Sequence, residues 1–200
     1  MFRGDAWYQK KEYDKAIADY DQAIKLKPNI APYYSNRGHA WYQKKEYDKA
    51  IADYDQALRL CDPKKLHSVA QYHNSRGIAW REKGEYEKAI ADCDQAIKMY
   101  PKFVRAYYNR GVAKTKNDDF DGAIADFKQA IKIQPKYETA RKALRTATAR
   151  SKDFDEDEEP APQKDSKRPA EHVGGIAGPG RRGGRWRGER RGGARHNTRP

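Results

Sequence analysis

The chain has 200 residues and a net charge of +13. It contains no run approaching the roughly 18–20 apolar residues that a helix needs to cross a bilayer, so we expect no membrane partner. It also has no apolar signal region at its N-terminus, and Cys61 and Cys93 are expected to be reduced and packed, so we expect a cytoplasmic protein.

Four related segments follow one another from the N-terminus. Ala6–Ala23 and Ala40–Ala57 have the same sequence, AWYQKKEYDKAIADYDQA, thirty-four positions apart. In every segment a glycine is followed by an aromatic residue, two alanines and a proline, and the large and small residues recur at helical spacing. The sequence therefore predicts an internal repeat. The glycines that mark its register are Gly4, Gly38, Gly77 and Gly111.

Each segment predicts two helices joined by a short turn. In the second segment the first helix is expected over Ala31–Lys44, and the second opens with acidic and closes with basic residues, which complements the helix dipole. Gly84 and Asn117 mark the turn in the third and fourth segments, and we expect both to adopt the left-handed conformation. One helix pair cannot bury its apolar stripe alone, so the pairs are expected to stack.

This pattern of Gly, Tyr, Ala, aromatic, Ala and Pro resembles the tetratricopeptide repeat family. The resemblance implies an all-α, right-handed α–α superhelix (a solenoid) with a concave groove that binds peptides or partner proteins. It predicts a repeat domain over residues 1–152, with a capping helix over 138–152 at its end. The four helix-pair repeats are expected at about residues 1–30, 31–64, 70–103 and 104–137.

Five extra residues separate the second and third segments. Asp62 is a suitable N-cap residue and Pro63 a suitable first helical residue, and the apolar residues that follow recur every three to four positions. We therefore expect one long helix over about Pro63–Lys83. A plain loop insertion is the alternative.

An arginine precedes each glycine, and an aspartate follows that arginine sixteen positions later. A guanidinium group suits a carboxylate at a partly buried helix contact, so we expect a structural ion pair in every repeat. An anion-binding site is the alternative. The predicted pairs are Arg3 with Asp19, Arg37 with Asp53, Arg76 with Asp92, and Arg110 with Asp126.

The resemblance also implies that the first helices line the groove. Some family members hold a C-terminal carboxylate with a Lys/Asn/Asn/Lys/Arg set, but Ser35, His39, Ser75 and Asn109 break that set here, so this function is not implied. Ordinary packing is the alternative role for the groove tyrosines. The candidate groove residues are Tyr8, His39, Tyr42, Gln43, Asn74, Arg81, Arg105 and Tyr108.

Motifs for catalysis are not found: the sequence has no phosphate-binding glycine loop, paired-histidine metal helix or nucleophile elbow. We therefore predict a non-enzymatic interaction scaffold without a cofactor or metal. Its partner is expected to be another protein or a peptide, and the sequence leaves the oligomeric state open.

Residues 153–200 are predicted to be a disordered tail, first acidic over Asp153–Glu159 and then rich in Arg and Gly. Two Arg-Gly-Gly units suggest RNA contacts through phosphates and stacking, which makes an RNA-associated adaptor the alternative function. A solvated extension and compositional bias are competing explanations. The candidate nucleic-acid residues are Arg181, Arg182, Arg185, Trp186, Arg187, Arg190 and Arg191.

Overall fold

The structure, a computed structural model, describes residues 3–157, and these form nine α-helices and no strand. The predicted all-α class is therefore confirmed. The candidate tail residues lie outside the described range. In chain order the helices are α1 (Arg3–Gln9), α2 (Tyr13–Leu26), α3 (Ala31–Gln43), α4 (Tyr47–Leu60), α5 (Leu66–Glu82), α6 (Tyr86–Met99), α7 (Val104–Lys116), α8 (Phe120–Ile133) and α9 (Glu138–Asp157).

The second helices of the repeats, α2, α4, α6 and α8, each have fourteen residues. Each has an acidic residue in its first turn and a basic residue in its last turn, as the dipole argument predicts. Asp119 also caps α8 directly, because its carboxylate accepts a 2.9 Å hydrogen bond from the backbone N–H of Gly122. Glu12, at the same place before α2, makes no such side-chain bond.

The turn between the two helices of a repeat contains one left-handed residue. Gly84 adopts this conformation, with φ of 84°, as predicted. The prediction for Asn117 is wrong, because its φ is −100° and the left-handed residue is the next one, Asp118, with φ of 56°. In repeat register Asp118 is the equivalent of Gly84, and the equivalent residues in the first two repeats, Lys11 and Lys45, are also left-handed.

The glycines of the first helices allow aromatic rings to approach the backbone. A Cβ atom on Gly111 would lie 2.7 Å from Cε1 of Phe127, and one on Gly38 would lie 3.0 Å from Cε1 of Tyr54. Both rings are almost fully buried. Cys93 is buried at the equivalent place in the third repeat, where it replaces the aromatic residue, and its burial agrees with the expectation that it is packed.

The helix pairs stack in chain order. Within each repeat the two helices pack together, and the second helix also packs against the first helix of the next repeat. α9 packs against α8 and covers the last repeat, which is the position predicted for the capping helix. α9 extends to Asp157, so residues 153–157 of the acidic run are helical. No helix within the described range is long and apolar enough to cross a membrane.

The long helix expected between the second and third repeats is present as α5, but its predicted start is wrong. α5 has 17 residues, four more than α3 or α7, and begins at Leu66. Asp62 does not cap it: its carboxylate accepts a 2.9 Å hydrogen bond from the backbone N–H of Lys64, two residues further on. The backbone carbonyl of Asp62 also accepts a hydrogen bond from Lys65, so Asp62 and Pro63 form a turn before the helix.

All four predicted Arg–Asp pairs are present. Each carboxylate is held by two nitrogens of its arginine, the geometry expected for a fork-shaped donor. This pairing supports the structural interpretation over an anion site. The Nε-to-Oδ2 distances are 2.8 Å for Arg3–Asp19, Arg37–Asp53 and Arg76–Asp92, and 2.9 Å for Arg110–Asp126.

Three of these arginines also join neighbouring repeats, which the sequence analysis missed. The remaining guanidinium nitrogen, Nη1, donates a hydrogen bond to an aspartate of the preceding repeat. Each arginine therefore links three helices, two of its own repeat and one of the repeat before. The Nη1-to-Oδ1 distances are 2.6 Å for Arg37–Asp21 and 2.5 Å for both Arg76–Asp55 and Arg110–Asp94.

The two cysteines are expected to differ strongly in reactivity. Cys93 is buried, and burial, followed by the charge of Asp92, raises the pKa of its thiol to about 12. Cys61 is only half-buried at the end of α4. Because the thiolate is the reactive form, we expect a disulfide reagent such as DTNB to label Cys61 in the native chain at least about a hundredfold faster than Cys93. Rapid labelling of a native Cys61→Ser chain would contradict the burial of Cys93.

Candidate partner groove

The first helices of the four repeats line three adjoining cavities that share one residue, His39. Their volumes are about 710, 340 and 340 Å³. We call their combined surface the partner groove. It includes Asp5, Tyr8, Gln9, Asn36, His39, Tyr42, Gln43, Asn74, Ser75, Ile78, Lys102, Arg105, Tyr108, Asn109 and Tyr137.

Seven of the eight candidate groove residues line the same 340 Å³ cavity, the one on which α1, α3, α5 and α7 converge. The eighth, Arg81, does not line it. Arg81 Nη2 instead donates a 2.6 Å hydrogen bond to Glu82, while Nη1 lies 3.5 Å from the amide oxygen of Asn109 at the cavity wall. The seven residues are Tyr8, His39, Tyr42, Gln43, Asn74, Arg105 and Tyr108.

The groove tyrosines pack against neighbouring aromatic rings and also line the cavity. The ring of Tyr42 contacts the ring of Tyr47 at 5.6 Å, and the ring of Tyr8 contacts that of Tyr13 at 5.5 Å. Tyr108 contacts the rings of Phe127 and Tyr137 at 5.9 and 5.5 Å. All three groove tyrosines are half-buried, so each ring has a supported side and a side that faces the cavity. Such rings offer contact area at low entropic cost.

His39 lines all three cavities and is half-buried. Its ring meets that of Tyr54 edge-on at 5.4 Å, and its Nε2 is 3.2 Å from the hydroxyl oxygen of Ser75. Burial lowers the pKa of the imidazole. We therefore expect a neutral ring at pH 7, so the centre of the groove is polar but uncharged.

The buried polar groups of the groove form hydrogen bonds with one another. Asn109 donates a 2.8 Å amide hydrogen bond to Asn74, and this bond joins α7 to α5. At the first repeat, Asp5 accepts hydrogen bonds from the hydroxyl of Tyr20 at 2.7 Å and from the amide of Asn36 at 3.2 Å. These bonds fix the side chains in place before any partner arrives.

Charge is unevenly distributed along the groove. Lys102 precedes α7 and Arg105 lies in its first turn. Both are exposed and have no carboxylate within ion-pair distance among the residues the structure describes. Asp5, in the first turn of α1, is an acidic residue at the opposite end. The groove is therefore basic at its C-terminal end.

Several groove residues could not be predicted from the sequence, because they lie outside the first helices. Tyr137 precedes α9, and Lys102 and Phe103 precede α7, so no first-helix rule could find them. Tyr54 also reaches the cavity, from the second helix α4. Within residues 3–157, no group of three or more His, Cys, Asp and Glu side chains is placed to hold a metal ion.

The sequence matches models of one repeat family. The model described as Tetratricopeptide repeat matches residues 31–62, 70–103 and 104–137, which cover half of the chain. A second model, described as TPR repeat, matches residues 4–45. No curated protein matches the sequence significantly.

Solved structures share the fold. The crystal structure of MamA is 24% identical, with a TM-score of 0.67, over 78% of this chain and 88% of MamA, and shows the fold alone. The OM64 TPR domain of Arabidopsis is 28% identical, with a TM-score of 0.56, over 60% of this chain and 96% of that domain. The second TPR domain of human RPAP3, in complex with the HSP70 peptide SGPTIEEVD, is 25% identical, with a TM-score of 0.53, over 57% of this chain and 92% of that domain.

These matches agree with the helix pairs, the buried small residues and the repeated register described above. The right-handed solenoid of helix pairs implied by the sequence is confirmed for the part of the chain that the structure describes. The chain belongs to the tetratricopeptide repeat family.

Proposed function

We propose that the chain is a non-enzymatic scaffold whose partner groove binds an extended peptide segment of another protein. Tetratricopeptide repeat domains in general mediate protein–protein interaction. The observation that supports peptide binding in the partner groove is the convergence of seven candidate residues from four separate helices on one cavity. A surface made by four helices is long enough for several peptide residues, and its tyrosines and amides suit both side chains and backbone.

The charges of the groove indicate the chemistry of the peptide. Lys102 and Arg105 favour an acidic residue at one end, whereas the neutral centre around His39 and the tyrosines favours apolar or aromatic side chains. The RPAP3 complex supports an acidic peptide on a related fold. Ser35 and His39 depart from the carboxylate-binding set, however, so the proposal does not extend to a free C-terminal carboxylate.

The groove tyrosines provide the test. We expect the double change Tyr42→Ala and Tyr108→Ala to weaken peptide binding at least about tenfold, because it removes two supported rings from the cavity. Peptides would be selected from a random phage-displayed library on the full-length chain. Their dissociation constants would then be measured by isothermal titration calorimetry for the parent chain and the variant.

A matched control uses two tyrosines on the same helices but outside the cavities. Tyr34 and Tyr107 are half-buried in α3 and α7, and their hydroxyls donate hydrogen bonds to the backbone carbonyls of Pro28 and Pro101. The double change Tyr34→Ala and Tyr107→Ala should leave peptide affinity unchanged. Equal affinity loss in both double variants, or in neither, would contradict binding in the partner groove. Circular dichroism would confirm that both remain helical.

The RNA-associated adaptor stays a prediction from the tail sequence. Its arginines and Trp186 lie outside the described residues, and nothing in the described residues favours RNA over protein.

A further inference from the structure

The largest of the three groove cavities, of about 710 Å³, is positively charged. Among the described residues its wall contains Lys102 and Arg105 but no aspartate or glutamate. Neither cation has a carboxylate within ion-pair distance in this range, so the charge of the cavity is not balanced by the protein. We call this cavity, whose polar wall includes Ser35, Asn74, Ser75, Lys102 and Arg105, the basic cavity.

Two buried side chains of the basic cavity have polar groups without a partner in residues 3–157. Ser35 is 4% exposed, and its hydroxyl makes no hydrogen bond in this range. Asn74 is 7% exposed; its amide oxygen accepts the bond from Asn109, but its amide nitrogen donates none. The described residues contain no fully buried polar side-chain atom without a partner, so both groups reach the cavity surface. They offer two neutral donors to whatever occupies the cavity.

The start of α7 adds positive potential to the same cavity. Lys102, Phe103, Val104 and Arg105 all line the cavity, and α7 begins at Val104. Phe103, the N-cap residue, makes no side-chain hydrogen bond to the first turn of the helix. The N-terminus of a helix carries partial positive charge on its free N–H groups. Two cations, two buried neutral donors and a helix N-terminus therefore surround one cavity.

We propose that the basic cavity binds a phosphorylated side chain of the peptide held in the partner groove, an inference that rests on the peptide binding proposed above. A phosphoryl group carries a charge of roughly −1.5 to −2 at pH 7 and has three acceptor oxygens. The two unpaired cations match this charge, and Ser35 and Asn74 supply donors beyond those that a carboxylate, with one charge and two oxygens, can use.

The distribution of charge favours a phosphorylated peptide over a nucleic acid. A nucleic acid has a phosphate at every nucleotide, and proteins that bind single strands place cations along the whole strand. In the partner groove the unpaired cations lie at one end, beside the start of α7. His39, which lines all three cavities, is expected to be neutral, and Asp5 lies at the opposite end. The positive charge therefore suits one phosphoryl group.

The basic cavity adjoins the cavity that contains the groove tyrosines. Arg105 and Asn74 line both cavities, and Tyr108 lines only the second. The phosphorylated residue is therefore expected beside an apolar or aromatic residue of the peptide that contacts Tyr108. Of the three groove cavities, Lys102 and Ser35 line the basic cavity alone, so changes at these two positions separate phosphoryl binding from binding at the tyrosines.

The test uses peptide libraries that differ at one central residue. Nonapeptides with random flanking residues carry serine, phosphoserine or glutamate at the centre, and the labelled full-length chain is applied to arrays of these pools. The preferred flanking sequence is then made as single fluorescent peptides, with phosphothreonine and phosphotyrosine versions added. We expect fluorescence anisotropy to show at least about tenfold tighter binding of a phosphorylated peptide than of its serine and glutamate counterparts.

Variants of the chain locate the phosphoryl group. Lys102→Ser should reduce the preference for the phosphorylated peptide at least about fivefold, because one of the two cations is lost. Ser35→Ala should reduce the same preference at least about threefold without lowering the melting temperature, because its hydroxyl has no partner to lose.

Lys136→Ser is the matched control. Lys136 lies thirty-four positions after Lys102, is also exposed and also precedes a helix, but lines none of the three cavities. The preference for the phosphorylated peptide should therefore be unchanged in this variant.

Equal binding of the phosphorylated and serine peptides would overturn the proposal and leave peptide binding in the partner groove intact. So would a glutamate peptide that binds as tightly, or a preference that Lys102→Ser leaves unchanged or that Lys136→Ser reduces equally. An oligouridylate that binds more tightly than the peptides, and depends on Lys102, would assign the cavity to nucleic acid. The double change Tyr42→Ala and Tyr108→Ala tests the proposed function separately, since it should weaken both peptides by the same factor and leave the preference unchanged.

Discussion

Replacing Ala40 by glutamate is expected to destabilise the folded chain by roughly 3–5 kcal/mol, the usual cost of leaving a buried charge uncompensated. Ala40 is fully buried in α3, which packs against both α2 and α4. The same change at Ala6 should alter the free energy of unfolding by only about 0.5 kcal/mol, because Ala6 is exposed. Urea unfolding followed by circular dichroism would measure both midpoints.

The two positions are closely matched, because each alanine begins the same eighteen-residue segment and the residue before it is Asp5 in one case and His39 in the other. Helix propensity and the unfolded chain are therefore nearly the same at the two positions, and the tertiary neighbours are the main difference. Ala40→Gln separates the steric part of the cost from the part due to charge. Equal destabilisation by Ala6→Glu and Ala40→Glu would show that the two repeats have the same environment, contrary to the structure.

Removing the carboxylate of Asp126 is expected to cost roughly 3–5 kcal/mol, because two partly buried cations lose the anion between them. Asp126 is 4% exposed and accepts a 2.9 Å hydrogen bond from Arg110 Nε, while Lys114 Nζ lies 3.1 Å from the same carboxylate oxygen. Asp94 contacts the same arginine from the preceding repeat but is 50% exposed. Asp94→Ala should therefore cost no more than about 1 kcal/mol.

Thermal and urea unfolding of Asp126→Ala, Asp126→Asn and Asp94→Ala would rank the two carboxylates. Asp126→Asn keeps the size and removes the charge, so it should recover little of the lost stability. If Asp94→Ala lowered the free energy of unfolding as much as Asp126→Ala, the ion pair between repeats would stabilise the fold as much as the buried pair within a repeat. The exposure of a carboxylate would then not predict the cost of removing it.

The fold could be predicted because each structural requirement is repeated in the sequence. A glycine such as Gly38 or Gly111 recurs in register where an aromatic ring packs against the first helix. An arginine and an aspartate sixteen positions apart, such as Arg37 and Asp53, recur in each repeat. Four copies of the same pattern make a chance match improbable. The resemblance to the tetratricopeptide family then supplied the rule that places Tyr42 and Tyr108 in the groove.

What could not be predicted depends on interactions outside that pattern. Asp62 has the chemistry of an N-cap, but its side chain bonds two residues along and forms a turn, so α5 begins later than its sequence indicates. Propensity could not choose between these two local structures, because both satisfy the same backbone donors. Tyr137 is the counterpart of Phe103, thirty-four positions earlier, but both lie just before a helix, so a rule that concerns the first helices alone does not reach them.

One missed feature did have a signal in the sequence. Asp21, Asp55 and Asp94 each come two residues after the aspartate of the predicted pair, and each meets the arginine of the following repeat. The fourth repeat has Lys128 at this position, and no arginine of a further helix pair follows it among the described residues. The substitution marks the end of the array as clearly as the capping helix does.

Because the first two repeats contain identical segments, the stability of one repeat can serve as a reference for the stability of the other. Ile17 and Ile51 are both 6% exposed and occupy the same place in α2 and α4, and they lie in identical sequence, so their amides have the same intrinsic exchange chemistry. Within residues 3–157, the helix pair of Ile51 has a stacked neighbour on each side, whereas that of Ile17 has one. In a nearest-neighbour array, the ratio of their hydrogen-exchange protection factors therefore reports the coupling free energy of a single repeat interface, with no mutation needed.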